Sequence, residues 1–197
     1  MKLSLPKQRI LDFDIECRPL SWYGGDYVTK EVTAIAWSWV GQQRVQSVIL
    51  EPDGSVVELL SAFLGPYDEA DIVTGHFIRG FDLPVINGAL SEYQMRPLSD
   101  KLTMDTKLDL IKRSGMSNSQ ENIAGMLGLV HPKVHMDQSK WREANRLTEQ
   151  GAKLTRKRVE GDVRQHKEML SALLELDMLR PPVRWSGKAS GRGKYHA

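Results

Sequence analysis

The chain has a single cysteine, Cys17, among its 197 residues. That excludes an internal disulfide and a zinc site built from several thiolates. Long apolar runs are missing too: the sequence opens MKLSLPKQR and its hydrophobic stretches are short. Neither a signal peptide nor a membrane span is expected from that pattern. No internal repeat is present. These absences predict a protein of the reducing cytoplasm with no membrane partner. The length is that of one ordinary domain with a substantial core, and 41% hydrophobic with 26% charged residues is the balance of a soluble globular protein.

Acid is absent from the C-terminal end. Residues 180–197 carry Arg180, Arg184, Lys188, Arg192 and Lys194 with no Asp or Glu, a charge of +5. The whole chain is at +2, which leaves residues 1–179 at −3. This divides the sequence into a domain over 1–179 and a basic, Gly/Ser-rich tail over 180–197, read as a flexible extension. An acidic body with a basic tail fits a nucleic-acid enzyme, though many other proteins share it.

Residues 9–17 alternate apolar and acidic and predict a strand, followed by strands at 31–40 and 43–50. A helix is expected at 55–64, stopped by Gly65-Pro66, then a buried strand at 71–77 and a helix at 82–95 with Pro84 in its first turn. A strand at 101–105 and a short helix at 106–113, ending at Gly115, come next. Asn118 to Glu121 has capping-box spacing before a helix beginning ENIAGMLGL. The polar stretch 131–150 reads as loop with one turn of helix, and a long helix over 151–178 ends before Pro181-Pro182. The order predicts an α/β domain: a mixed central sheet that opens with an antiparallel meander and carries helices on its faces.

Three segments carry candidate chemistry. In the first strand Leu11, Phe13 and Ile15 point to one side and Asp12, Asp14 and Glu16 to the other. Three carboxylates on one face of an interior strand are costly. A divalent cation with oxygen ligands would resolve that conflict, and an edge strand with one wet face would do so equally. Asp82 stands where a strand gives way to a helix; by itself it reads first as an N-cap. Asp162 lies mid-helix beside the inward-facing Val159 and Val163, a poor place for Asp on propensity. Arg158 and His166 flank it at four residues on either side, so a surface Arg158–Asp162 ion pair is the plainer account of that segment.

Together the segments say more. Asp-Ile-Glu at 14–16, Gly75-His76 followed by Phe81-Asp82-Leu-Pro, and the helical Gly161-Asp162-Val163 with Gln165-His166 resemble the three exonuclease motifs of the DEDD, or DnaQ-like, superfamily. The resemblance spans about residues 9–178. In style it is nearest to the exonuclease domains of family B DNA polymerases. It implies a single RNase H-like domain and a stand-alone 3′→5′ exonuclease. Asp14, Glu16, Asp82 and Asp162 would be its catalytic carboxylates, holding two divalent cations. Paired metals about 4 Å apart activate the attacking water and carry charge on the leaving oxygen. Hard oxygen ligands point to magnesium or manganese.

The chain departs from the pattern in three ways. The family places a Tyr four residues before the last Asp or a His five before; here Arg158 and Lys157 occupy those positions. Arg158 or His166 is thus the candidate general base or phosphate contact, with His131 and His135 as further histidines near in sequence. Phe77 stands where the middle motif usually has Asn. No polymerase domain is attached, so a separate polymerase is the expected partner if the role is proofreading. The expected substrate is nucleic acid, with DNA single strands or frayed 3′ ends favoured. An exoribonuclease of the same superfamily and a non-catalytic nucleic-acid or polymerase-binding module are the alternatives. Lys153, Arg156, Lys157 and Arg158 read either as phosphate contacts or as a solvated helix start. Trp22, Tyr23 and Trp141 read as loop residues able to stack on bases, Trp37 and Trp39 as core, and Cys17 as packing.

Overall fold

Ten residues from Ile10 to Pro19 form the strand around which the domain is built. In this computed structural model the described residues are 8–20, 27–111, 116–129 and 134–187. The expectations for Trp22, Tyr23, His131, Gly115 and positions 188–197 lie outside them. β1 (Ile10–Pro19) pairs antiparallel with β2 (Lys30–Trp39), which pairs antiparallel with β3 (Gln46–Ile49). On its other side β1 runs parallel to β4 (Ile72–Gly75), and β4 runs parallel to β5 (Lys101–Asp105). The sheet order is β3-β2-β1-β4-β5-β6, with the last strand, β6 (Val183–Trp185), antiparallel to β5. The mixed sheet with an initial meander is as the sequence predicts.

The sheet's two faces follow from strand alternation. Leu11, Phe13, Ile15, Ile35 and Trp37 face α1 (Val56–Glu69) and α2 (Asp82–Glu92) in the main core, where Phe63 lies 5.0 Å from Phe13 between ring centroids. The opposite face of β2 presents Ala34 and Ala36, small enough for α5 (Glu149–Glu175) to seat Ala152, Val159 and Val163 directly on the sheet. α3 (Gln120–Met126) and α4 (Gln138–Asn145) precede α5. Ile123 of α3 packs in the cluster formed by Met169 and Leu173 of α5. α4 approaches α5 so closely that a Cβ at Gly151 would lie 2.3 Å from the Glu143 carbonyl oxygen.

Several boundaries differ from the sequence reading. α1 continues through Gly65-Pro66 because Phe63 and Tyr67 are fully buried and the Tyr67 hydroxyl donates to the Ser99 carbonyl at 2.8 Å. Packing there outweighs the hydrogen bond that proline cannot make. Where a helix over 106–113 was expected, the described residues from 106 open with a turn: Asp105 Oδ1 accepts from the amides of Lys107 and Leu108, at 3.0 and 3.1 Å. Leu110 then bridges to Leu179. The stretch read as loop holds the two-turn helix α4, capped by Asp137, and Trp141 lies on it rather than in a loop. Ser119 rather than Asn118 caps α3, and Thr148 starts α5 two residues early. Arg184 and Trp185, read as part of the tail, sit in the edge strand β6.

Candidate metal centre

The alternation of β1 delivers Asp12, Asp14 and Glu16 to the face covered by α5, and α5 delivers Asp162 to the same place. Ligand oxygens of Asp14, Glu16 and Asp162 lie within 4.8 Å of one another. Asp162 is buried, and Asp14 and Glu16 are half-buried at the open side. A register shift between Glu16 and Cys17 interrupts the pairing with β2 beside the cluster. Such bulges re-aim neighbouring side chains, and here one falls at the site. Three carboxylates so close fit a hard divalent cation: they are oxygen donors of the right kind, and a bound cation would offset their mutual repulsion.

Asp82 stands outside that close group but beside it. It is not the helix cap: Phe81 holds that position, and Asp82 is the first helical residue of α2. Its Oδ1 accepts from the Ile15 amide at 3.2 Å, between the two β1 carboxylates in sequence. Burial pushes its carboxyl up to about 7, with Asp105 and Glu16 adding repulsion and its backbone hydrogen bonds opposing the rise. Cys17, half-buried, has its thiol pushed far up by burial and then by the carboxylates of Asp82, Glu16 and Asp14. It is a packing residue in an electronegative corner rather than a nucleophile.

The segment that leads to Asp82 is held from β5. Asp105 accepts from the Phe77 amide at 2.9 Å and the Arg79 amide at 3.0 Å. Arg79 forms an ion pair with Asp109, whose Oδ2 also accepts from the Asp105 amide at 2.8 Å. Phe77 has φ 72°, the left-handed region that Asn tolerates far better than an aromatic residue. Its ring lies against Gly80, where an added Cβ would meet it at 2.3 Å. Phe77, standing where the resemblance would place Asn, thus holds a backbone conformation that Asn adopts more readily than Phe.

Arg158 and His166 fare differently. Arg158 reaches into the cluster: Nε donates to Glu16 Oε1 at 3.2 Å and a terminal nitrogen lies 2.9 Å from Asp162 Oδ2. Its other terminal nitrogen donates to the Val134 carbonyl at 2.7 Å. It is only 12% exposed, so the pair with Asp162 is largely shielded rather than a surface one. His166 points to the interior. Its Nδ1 is hydrogen-bonded to Asp12 Oδ2 at 2.7 Å and its Nε2 to Thr106 Oγ1 at 2.9 Å. Both ring nitrogens are thus engaged away from the three close carboxylates. Thr106 also meets His76 Nδ1 at 3.0 Å, which ties the middle motif to α5. The Asp12–His166 contact was missed in the sequence, although Asp12 precedes Asp14 by two and His166 follows Asp162 by four. Those offsets put both on the site face. Nothing in the sequence marked the Val134 carbonyl.

Beyond Arg158 a small cleft of about 180 Å³ is lined by Glu121, Val134, His135, Met136 and Trp141. Lys153, Arg156 and Lys157 are exposed on α5, with Lys153 paired to Glu149 and Arg156 to Ser47. No described helix is long and apolar enough to cross a membrane.

No protein-family profile and no curated protein matches the sequence. In fold the chain is similar to the family B DNA polymerase of the hyperthermophilic archaeon Pyrobaculum calidifontis, with a TM-score of 0.65 and 18% identity. The match covers 86% of this chain and 25% of the polymerase chain, so this protein spans about a quarter of that relative's length. At that identity the likeness is one of fold: a single α/β domain of RNase H-like architecture, similar to part of a polymerase chain.

Proposed function

We propose that the protein is a metal-dependent 3′→5′ exonuclease whose carboxylates Asp14, Glu16, Asp82 and Asp162 hold two magnesium or manganese ions. The observation that carries this reading is the convergence of Asp14 and Glu16 from β1 with Asp162 from α5 into one group of ligand oxygens. Asp82, held against the backbone of β1, is the fourth acid. When bound, the ions would supply an activated water and charge stabilisation for phosphodiester hydrolysis. The chain's own residues orient and neutralise: β1 and α5 fix the carboxylates, and Arg158 brings a guanidinium suited to a phosphate. His166, with both nitrogens bonded in the interior, serves the packing of α5 and leaves Arg158 as the better candidate for phosphate contact.

DNA is favoured as substrate because a neighbour in fold is a DNA polymerase. Proofreading for a separate polymerase fits that likeness. The basic side of α5 and Trp141 beside the cleft are suited to backbone and base contacts, respectively. The test is a digest of DNA and RNA oligonucleotides labelled at the 3′ or the 5′ end, with Mg²⁺ or Mn²⁺ and with chelator. Stepwise loss from the 3′ end is expected, abolished by chelator and reduced at least about a thousandfold by Asp14→Ala. Cleavage that persists in chelator, or tight binding of oligonucleotides without cleavage, would refute the proposal. The second outcome would point instead to a non-catalytic binding module.

A further inference from the structure

Arg158 places a fixed positive charge among the carboxylates that a metal ion would need. One guanidinium nitrogen faces Glu16 and another Asp162, on ligands drawn from β1 and α5. The third holds the Val134 carbonyl just before α4. With the side chain 12% exposed, little solvent screens these contacts. A divalent cation entering the same carboxylates would meet a like charge within hydrogen-bond reach of two of its three ligands. A guanidinium and a dication are alternative partners for these oxygens.

From this we infer that Arg158 is a resident counter-ion that opposes metal loading in the free protein, and that its release to a nucleotide phosphate couples metal binding to substrate arrival. The inference rests on the carboxylates being a metal site. Each half of the coupling has a physical cause. In the free protein Arg158 keeps the acids together without a metal, which removes the repulsion that burial would otherwise magnify. A phosphate group offers the planar fork an equivalent bidentate partner. Once Arg158 turns to it, the ion pairs with Glu16 and Asp162 are exchanged for contacts with the cation. Val134, outside the carboxylate set, gives the side chain a second anchor on which to pivot. By linkage, nucleotide must tighten metal binding by the same factor as metal tightens nucleotide binding.

The test uses the full chain, with Mn²⁺ as the probe metal and free Mn²⁺ followed by electron paramagnetic resonance. Titrations are run with and without thymidine 5′-monophosphate and corrected for Mn²⁺ bound to the nucleotide alone. Arg158→Gln should bind Mn²⁺ about tenfold more tightly than the unaltered protein in the absence of nucleotide, within the usual range of coupling between sites. The same variant should lose the nucleotide-induced tightening that the unaltered protein displays. Arg158→Lys, which keeps the charge but not the fork, should fall between the two, and it serves alone if the Gln variant does not fold. Unchanged or weaker Mn²⁺ binding in Arg158→Gln, with the unaltered protein binding normally, overturns the inference and leaves the metal site standing. Absence of Mn²⁺ binding in every form overturns both.

Discussion

Asp82 concentrates the tension of the site in one side chain. It is buried at the start of α2, and its carboxyl is pushed from an ordinary value near 3.8 to about 7, first by burial. A raised carboxyl means that the folded chain keeps a proton which the unfolded chain has already lost. Between about pH 4 and pH 7 the metal-free protein is therefore expected to lose stability as pH rises, with no further loss from this group above that window. Asp82→Asn retains an oxygen to accept from the Ile15 amide and removes the titration. In chelator, its melting temperature should fall less between pH 5 and pH 8 than that of the unaltered protein. Parallel melting curves across that range would show that the carboxyl is not held up by burial.

At the scale of elements, the three close carboxylates lie where β1 meets α5, and the Asp12–His166 hydrogen bond joins the two elements there. Asp12 is completely buried and His166 nearly so, and the bond between them is 2.7 Å long. Burial raises the Asp12 carboxyl, and His166 followed by Lys167 works against the rise. Removing one partner strands the other in the interior, which costs about 3 kcal/mol or more. Asp12→Ala and His166→Ala should each lower stability to urea by about that amount, and the double variant by clearly less than the sum. Additive losses would mean that the two residues act separately. Arg158 and Asp162 are carried by the same helix, so a shift of α5 moves both at once.

For the whole molecule, one sheet joins every layer. β1 touches the α1–α2 core on one face and α5 on the other, and β6 closes the far edge against β5. A sheet shared in this way has no seam along which half the chain can unfold. Far-ultraviolet circular dichroism and tryptophan fluorescence, reporting from Trp37 in the core, Trp141 on α4 and Trp185 on β6, should follow one denaturant transition. Separate transitions would show that the helices after β5 form a unit of their own. The likeness in fold to a quarter of a polymerase chain covers 86% of this chain and is one of sheet and helices.

The acidic face of β1, the helix start at Asp82 and the inward stripe around Asp162 were legible in the chain because they are local. Alternation in a strand and the 3.6-residue turn of a helix assign faces from spacing alone, without a partner. Those periods set the acidic face of β1 and the inward face of α5; that Asp162 would join Asp14 and Glu16 was implied only by the resemblance to the exonuclease motifs. What the periods do not carry is distance between segments far apart in sequence. Only the tertiary structure decided that α1 runs through Pro66, since Tyr67 is held there by Ser99, and that Val183–Trp185 closes the sheet. It alone also turned His166 inward to Asp12 and set Arg158 between Glu16 and Asp162, where the sequence had left both as equal candidates. The reason is common to these cases: a polar group shielded from solvent takes whichever partner the packing brings within reach, and that partner can lie 142 residues away.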